Sequence, residues 1–477
     1  MSAAGKTVSL YKKRQRIHPR EVHGLFQRWR WFFVFLTQAV FYGLPWLQWT
    51  TELGQRQAVL FDLEAKRFYL FGLVLYPQDF IYLAALLIVC AYALFLFTAV
   101  AGRLWCGYAC PQTVYTSMFL WIEQRFGGSK AQRQKLEKAP WSADKLWRVG
   151  GMHTAWVLLA LFTGFSFVGY FTPIRELTPE VWAGQLGPWQ TFWILFYSFA
   201  TWGNAGFLRE QVCLHMCPYA RFQSAMFDRD TLVIGYDVER GEPRGTRGRK
   251  DDLQAKQLGH CIDCGLCVEV CPTGIDIRKG LQYECIGCAA CIDVCNGVMD
   301  KMGYPRGLIR YDTENGLEQH LSRAQEWLRV FRPRVWIYSA VMLLIVAAVM
   351  GSLLTRPPFR YDIVRDRGAL GRWNEQGQLE NVYRLQVMNV LERQQRYRIR
   401  VESEDAVLQG VQVAGGALEV TLGPIEARWV PVAVHLPEGA APTQTGAHTL
   451  HFVVERVAQG EDAAHAQHEK TTFLVPR

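Results

Sequence analysis

Residues 261–272 read CIDCGLCVEVCP, and residues 285–296 repeat their spacing as CIGCAACIDVCN. Each stretch has the form C-x2-C-x2-C-x3-C, in which three thiols two residues apart can hold three corners of an iron–sulfur cube. The loop backbone must turn tightly to bring these thiols together, and Gly265 and Gly287 make such a turn easier. The two stretches therefore predict two 4Fe-4S clusters.

The fourth cysteine of each stretch begins the next structural element and cannot reach back to its own loop, so we expect it to bind the other cluster. This assigns the first cluster to Cys261, Cys264, Cys267 and Cys295, and the second to Cys285, Cys288, Cys291 and Cys271. Two structural zinc sites are the alternative, but zinc sites use paired knuckles rather than two runs of four cysteines. Asn296 stands where a second proline would normally follow the last cysteine, and the assignment stands because proline is not a ligand.

Five apolar segments are long enough to cross a bilayer, which takes roughly 20 mostly apolar residues. They lie at 31–49, 80–100, 152–171, 189–207 and 336–354. Trp and Tyr gather near several of their ends, as they do at membrane interfaces. These lengths and flanks favour membrane spans over the buried helices of a large soluble protein.

The loop charges predict the orientation of these spans. The first 30 residues hold eight Lys or Arg and one acid, Glu21, and residues 121–151 hold seven more bases. Basic loops stay in the cytoplasm, so we expect the N-terminus inside and, after five crossings, the C-terminus outside. The net charge of +9 follows from this topology, because residues 356–477 hold 14 bases and 15 acids. It does not indicate a nucleic-acid partner.

All 13 cysteines precede residue 296, so the predicted external domain has none. Thiols kept on the reducing side of a membrane indicate metal ligation rather than disulfides.

A second cysteine pattern follows two of the spans. Residues 102–119 read GRLWCGYACPQTVYTSMF and residues 209–227 read REQVCLHMCPYARFQSAMF, so both contain C-x3-C-P-x5-S. This internal repeat predicts a duplicated pair of helical hairpins with both copies on the same membrane face as the clusters. Two cysteines at i and i+4 of a helix would place their sulfurs one turn apart. The prolines Pro111 and Pro218 favour a helix start or a kink.

Methionines near these cysteines, Met118, Met216 and Met226, add soft ligands that suit Cu(I), and His215 could bind copper in either oxidation state. The candidate copper ligands are therefore Cys106, Cys110, Cys213, Cys217 and His215, and the four cysteines are also the candidate catalytic residues. The alternative is that these cysteines merely pack against lipid or helices, which is our interpretation of the lone Cys90.

The whole sequence predicts a multi-domain membrane protein with a helical bundle, a two-cluster ferredoxin-like domain and an immunoglobulin-like β-sandwich. Its predicted parts are a cytoplasmic segment 1–30, a membrane domain 31–228, a cluster domain 229–332, a fifth span 333–355 and a periplasmic sandwich 356–477. Seven short alternating runs in the last part favour the sandwich. Four histidines near its end, at 448, 451, 465 and 468, lack supporting acids or thiols at fixed spacing, so we do not assign them a metal.

These motifs resemble those of the cytochrome c oxidase accessory proteins called CcoG, FixG or RdxA. The resemblance rests on GRLWCGYACPQTV, on REQVC with CPYARFQSAMFD, and on the whole stretch from residue 261 to 295. It implies a bacterial inner-membrane protein with two 4Fe-4S clusters that reduces Cu(II) to Cu(I) for the assembly of a cbb-type oxidase. The implied partners are the lipid bilayer, an electron donor, a copper chaperone and components of oxidase assembly.

Two alternatives remain open at the level of sequence. The chain could relay electrons from quinol or another membrane donor without a metal substrate. It could also be an oxidase-assembly scaffold in which the clusters are structural.

Overall fold

The computed structural model describes residues 16–51, 54–249, 251, 253–366, 371–437, 444–458 and 464–476. The N-terminal half of the predicted cytoplasmic segment, residues 1–15, lies outside the described residues. The chain divides into two compact units, one of residues 1–47, 57–70 and 75–348, and one of residues 48–56, 71–74 and 349–477. The helices and the cluster segment thus belong to one unit, and the C-terminal strands to the other.

The chain up to residue 228 is mainly helical, with short strands after the first helix. Its helices are α1 Leu25–Gly43, α2 Phe80–Ala101, α3 Leu104–Tyr108, α4 Pro111–Gly127, α5 Lys130–Lys138, α6 Ala143–Val168, α7 Ile174–Ala183, α8 Pro188–Thr201 and α9 Pro218–Met226. Its strands are β1 Gln48–Thr51, β2 Gly54–Gln57, β3 Val59–Asp62, β4 Arg67–Leu70 and β5 Leu73–Leu75. Wide π-helical turns occupy Trp202–Leu208 and Val212–Met216.

Three helices among the described residues are long and apolar enough to cross a membrane. They are Pro77–Ala101, Ala143–Val168 and Pro333–Leu354, with 25, 26 and 22 residues. They correspond to the second, third and fifth predicted spans. The second and fifth have long, fully apolar faces that the rest of the chain leaves uncovered, as expected for helices surrounded by lipid.

The first and fourth predicted spans differ from the helices found there. The first helix, α1, runs from Leu25 to Gly43, and the last two residues of the predicted span 31–49 belong to strand β1, Gln48–Thr51. Arg28 and Arg30 lie within α1 and lower its apolar character. The fourth helix, α8, ends at Thr201 after 14 residues and continues as a wide turn. Membrane crossing at these two helices stays a prediction.

Trp156 of α6 is the centre of the helical core. Its indole N–H donates to the carbonyl of Phe119 at 3.0 Å, and the two rings stack with centroids 5.2 Å apart. Both side chains are fully buried together with Ala205. This contact joins α4 to α6 and to the turn that precedes the second cysteine pair.

The cluster segment is built around one strand pair. Its elements are β6 Val233–Tyr236, α10 Val238–Gly241, α11 Leu253–Lys256, α12 Leu266–Glu269, α13 Ala290–Met302, β7 Ile309–Asp312, α14 Glu314–Gln319 and α15 Arg323–Val330. The long helix α16, Pro333–Leu354, follows the segment. Strands β6 and β7 pair antiparallel, and Ile234 lies opposite Tyr311. Met299 and Leu308 pack with Ile234 in a core that also contains several of the cluster cysteines.

Asp293 of α13 caps the first helix across 266 residues of chain. Its carboxylate accepts hydrogen bonds from the backbone N–H of Phe26 at 3.2 Å and of Gln27 at 2.8 Å. These amides are in the first turn of α1, where N–H groups have no partner within the helix. The helix begins at Gly24, whose lack of a side chain admits the carboxylate. The first helix is therefore fixed directly on the helix that carries Cys291 and Cys295.

The C-terminal unit contains the predicted β-sandwich. One sheet has the order β12-β14-β10-β8 with β9 beside β10, and the other has the order β13-β11-β15-β16. The strands are β8 Phe359–Arg365, β9 Arg372–Trp373, β10 Leu379–Asn389, β11 Gln395–Glu402, β12 Gln412–Val413, β13 Leu418–Leu422, β14 Ala427–His435, β15 Gly446–Arg456 and β16 His465–Val475. All seven predicted runs form strands.

Strand β8 is an addition to the seven runs that the sequence predicted. Phe359 is fully buried in the sandwich core, and the Tyr361 hydroxyl donates to the carbonyl of Phe452 at 2.8 Å. Two prolines directly precede this strand, and prolines are typical of a loop and not of a strand interior. The histidines hold no common site: among the described residues, His448 bonds Asp405 at 2.8 Å.

Replacing Asp293 by Ala should loosen the start of α1. Loss of both cap hydrogen bonds should cost about 1–2 kcal/mol, and amide hydrogen exchange at Phe26 and Gln27 in the detergent-purified chain should accelerate accordingly. Asp300→Ala, on an exposed part of the same helix, is the matched control and should leave these amides unchanged. Equal exchange in the two variants would contradict the cap.

Candidate functional site

The first cysteine loop turns tightly where the sequence analysis expected it to. Gly265 has a φ of 67°, and Asp263, between the first two cysteines, has a φ of 52°. Both values lie in the left-handed region, which glycine adopts at little cost. The chain then enters the single turn of α12, which carries Cys267.

The second loop repeats this path. Gly287 has a φ of 67° and Ala289 a φ of 58°, and α13 begins directly afterwards with Cys291 in its first turn. Cys295 lies one turn further along the same helix. Asn296 needs no proline-like role here, because α13 continues past it and its side-chain oxygen accepts from the N–H of Gly307 at 3.0 Å.

The structure brings the eight cysteines together in two groups that cross between the loops. One cavity is lined by Cys261, Cys264, Cys267 and Cys295. A second cavity is lined by Cys271, Cys285, Cys288 and Cys291, and Cys267 also reaches its edge. In the second loop α13 carries Cys295 to the first cavity, whereas Cys271 lies just after the short α12, which ends at Glu269, and lines the second cavity.

The cavities suit a cluster better than single ions. Among the described residues, no three His, Cys, Asp or Glu side chains are close enough to hold one metal ion. A tetrahedral zinc site would need sulfurs about 3.8 Å apart, given its Zn–S distance. Four cysteines around each cavity supply the four ligands that a 4Fe-4S cube needs.

Burial around the cysteines favours their neutral, protonated form when no metal is bound. It raises the pKa of Cys267 to about 11 and of Cys285 and Cys295 to about 12. Thiols in such surroundings stay protonated at neutral pH unless a metal takes the place of the proton. The apolar lining, which includes Ile234 and Ile277, would keep water from a bound cluster.

Arg278 is a residue of the first cavity that the sequence analysis missed. It lies on the cavity wall with its side chain nearly buried, and it bonds Asp276 and Asp263. A fixed cation beside the cavity would favour the more negative, reduced form of a cluster. The sequence signal was available, since IDIRK follows the first loop directly.

The second cysteine pattern is not one helix with two cysteines on its surface, as we predicted. Cys106 lies in the five-residue α3, and Cys110 is extended, with a ψ of 127°, before Pro111 starts α4. Cys213 lies in the wide turn Val212–Met216, and Cys217 is extended before α9. The reason is steric, because proline disfavours the helical conformation of the residue before it. The prediction that proline starts a helix is confirmed in both copies.

Hydrogen bonds join the two copies of this pattern. The guanidinium of Arg103 donates to the carbonyl of Ala220 at 2.5 Å, and the amide of Gln223 donates to the carbonyl of Gly102 at 3.2 Å. The thiol of Cys106 lies 3.7 Å from the side-chain oxygen of Gln223. Each copy thus holds the backbone of the other.

The four thiols of the two copies lie close enough to affect one another. Burial raises the pKa of Cys106 to about 12, and the charges of Cys110, Cys213 and Cys217 add to the rise. The pKa of Cys213 rises to about 11 for the same reasons, while Arg103 opposes the rise in both. His215 and Met216 are exposed on the turn beside them.

This thiol group adjoins the second cavity. Cys106 and Cys213 pack against a buried cluster that contains Cys288 and Ile286 of the second loop. The Tyr311 hydroxyl donates to the carbonyl of Gly287 at 2.5 Å and lies 3.3 Å from the hydroxyl of Tyr108. The two cysteine patterns therefore form one continuous region.

Comparison with known protein families agrees with this arrangement. The family described as "4Fe-4S dicluster domain" matches residues 208–314, and a second "4Fe-4S binding domain" matches residues 83–129. The family of the immunoglobulin-like fold at the C-terminus of FixG matches residues 349–476. The chain thus has a two-cluster iron–sulfur segment and a sandwich of FixG type.

Curated relatives match the chain nearly end to end. Nitrogen fixation protein FixG of Rhizobium meliloti is 35% identical over 470 residues, covering 92% of this chain and 90% of the relative. Protein RdxB of Cereibacter sphaeroides is 36% identical over 466 residues, covering 96% and 97%. A crystal structure of a FixG-related protein from Vibrio parahaemolyticus is 20% identical, with a TM-score of 0.21, over 25% of this chain and 96% of that one.

Identity of this extent, together with the iron–sulfur segment and the apolar helices, describes an inner-membrane iron–sulfur protein of electron transfer. The chain belongs to the FixG (CcoG) family.

Proposed function

We propose that this protein is a cupric reductase that supplies Cu(I) for the assembly of a cbb-type oxidase, with Cys106, Cys110, Cys213 and Cys217 as the copper-binding thiols. The observation that carries the proposal is the packing of Cys106 and Cys213 against the loop of Cys288. A metal reductase needs soft metal ligands beside a cofactor that supplies electrons, and the duplicated thiols beside the second cluster cavity provide this arrangement. A scaffold with structural clusters would not need metal ligands beside a cluster.

The ligands of the two clusters are the two crossed groups of cysteines that line the cavities. When bound, the clusters would supply single electrons. One electron would reduce one Cu(II) ion to Cu(I) and leave one cluster oxidised, and an external one-electron donor would reduce that cluster again. The side chains around them exclude water and hold the second cluster next to the copper thiols.

The four thiols would favour the cuprous product. Thiolate sulfur is a soft ligand that prefers Cu(I) to Cu(II), so binding there raises the copper potential. Each copy of the C-x3-C-P pattern contributes two of these candidate thiol ligands. Exposed His215 and Met216 stand where an ion would enter or leave.

The proposed topology follows the loop charges. We infer that the clusters and the copper thiols lie on the cytoplasmic side and that the sandwich is periplasmic. The reduced copper then passes to a chaperone or to an assembly partner.

Serine variants of Cys106 and Cys213 test the copper site. The double variant should lose bound copper and most cupric reduction while its iron and sulfide content stays at the wild-type level, because neither residue lines a cluster cavity. Anaerobic metal analysis with electron paramagnetic resonance measures both. Cys90→Ser, in the exposed middle of α2, is the matched control and should behave as wild type.

Cupric reduction that persists in the double variant would contradict the copper role of these thiols. Reduction of the clusters by quinol, with no effect of copper on their reoxidation, would support the relay alternative instead. Clusters that no reductant can reduce would support a scaffold.

A side chain at Gly107 should slow the transfer of electrons to copper. A Cβ there would lie 2.7 Å from the carbonyl oxygen of Gly287 and 2.9 Å from the Cα of Cys288. Both are backbone atoms of the second loop, so the two patterns must separate. In Gly107→Val, stopped-flow reoxidation of reduced clusters by bound Cu(II) should be slower, with copper and iron content unchanged.

Gly150→Ala is the control for this experiment, because a Cβ at Gly150 meets no atom within 4 Å. Equal reoxidation rates in Gly107→Val and the wild type would show that the electron does not cross this contact.

A further inference from the structure

Glu123 of α4 is a buried carboxylate that the proposed reduction does not use. Its oxygens lie 3.5 Å from a guanidinium nitrogen of Arg16, 3.4 Å from one of Arg133 and 3.3 Å from Nδ1 of His18. Arg209 forms a further ion pair with it. One carboxylate therefore faces three guanidinium groups. The hydrogen bond with His18 and the charges of Arg209 and Arg16 hold the pKa of Glu123 far below its usual range despite the burial that opposes them.

The cations around Glu123 have donors left over. The side chains of Arg133 and Arg209 are 2% and 4% exposed. Within the described part of the chain, Nε of Arg133 and Nη1 of Arg209 are buried and have no hydrogen-bond partner. Glu210 is near Arg209 and offsets part of its charge, whereas Arg133 pairs with no acid other than Glu123 among the described residues. A buried donor without an acceptor is costly, and a buried cation without an anion more so.

A cavity of about 190 Å³ opens beside this network. Arg133 and Glu123 line it, and its other charged or aromatic lining residues are Arg16, His18, Glu137, Trp141, Lys145, Arg148 and His153. In the part of the chain that the structure describes, the ammonium group of Lys145 donates to the carbonyls of Glu137 and Ala139 and to no carboxylate. Arg148 pairs with exposed Asp144 outside. The cavity thus presents four cations and two carboxylates.

The position of the cavity along the chain indicates the source of its ligand. Lys145 and Arg148 belong to the first turns of α6, one of the three helices apolar enough to cross a membrane. Trp141, Leu146 and Trp147 around this helix start are 73%, 64% and 74% exposed. Exposed Trp beside Lys and Arg at the end of a span is typical of the level of lipid headgroups.

We propose that this cavity binds a phosphate group and that the headgroup of an anionic phospholipid provides it. A phosphate diester would accept hydrogen bonds from Arg16, Arg133 and Lys145, which gives the unpartnered donor an acceptor and balances the excess charge. Its acyl chains would lie along the apolar surface of α6. A free phosphate ion has the same chemistry and is the alternative source.

Native mass spectrometry of the full-length protein in detergent tests the proposal. Phosphatidylglycerol and phosphatidylethanolamine are added at equal concentration, and the bound lipid is counted. The wild type should retain phosphatidylglycerol. The Arg16→Gln, Lys145→Gln double variant should retain it at least about tenfold more weakly, since two charge-assisted contacts are lost. Both side chains are partly exposed, so the variant should keep its fold.

Arg125→Gln, an exposed cation on the same helix as Glu123, is the matched control and should retain the lipid as the wild type does. Inorganic phosphate distinguishes the two sources. If phosphate raises the unfolding temperature of the wild type but not of the double variant, and phosphatidylglycerol is not retained, the site is confirmed and the lipid source is wrong. Equal retention of both lipids by all variants, without any effect of phosphate, would overturn the proposal. Copper reduction is a separate readout, because no residue of this cavity binds copper or a cluster.

Discussion

The contact on which the functional part of this molecule depends is the approach of two backbones at Gly107 and Gly287. A Cβ on either glycine would collide with the backbone of the other pattern, at Gly287 and Cys288 in one case and at Arg103 in the other. The space between the two backbones admits the hydrogen atom of a glycine but not the Cβ of another residue. This close packing makes a thiol group and a cluster cavity, which are far apart in sequence, parts of one site.

Several polar contacts keep this approach in place from different directions. Arg103 and Gln223 tie the two C-x3-C-P copies together, and the Tyr311 hydroxyl holds the carbonyl of Gly287. Asp293 fixes the first helix on the helix of the second cysteine loop. The cluster segment is thus packed among the helices as part of one compact unit. The distance between the cluster cavities and the C-x3-C-P thiols is therefore fixed, and does not depend on the motion of a tethered domain.

One buried side chain connects the C-x3-C-P thiols with the network at the basic cavity. Arg209 pairs with Glu123, lies over the ring of Trp156 at 5.6 Å, and comes four residues before Cys213. Glu123 lines the cavity, and Cys213 lies in the turn that follows Arg209. The two regions are therefore neighbours within one compact unit.

The sequence by itself determined the chemistry: the crossed cluster groups, the duplicated cysteine pattern, the apolar helices α2, α6 and α16, and seven strands of the sandwich. Spacing, proline and alternation are local signals, and each acts through the backbone of its own segment. Only the tertiary structure decided that a helix break lies at each Cys-Pro pair and that Arg278 and Arg103 face the thiols. It also decided that Asp293 caps α1 and that three arginines surround Glu123. These features arise from contacts between segments up to 267 residues apart. No local pattern predicts them, because two side chains that meet across the fold have no fixed spacing in the sequence.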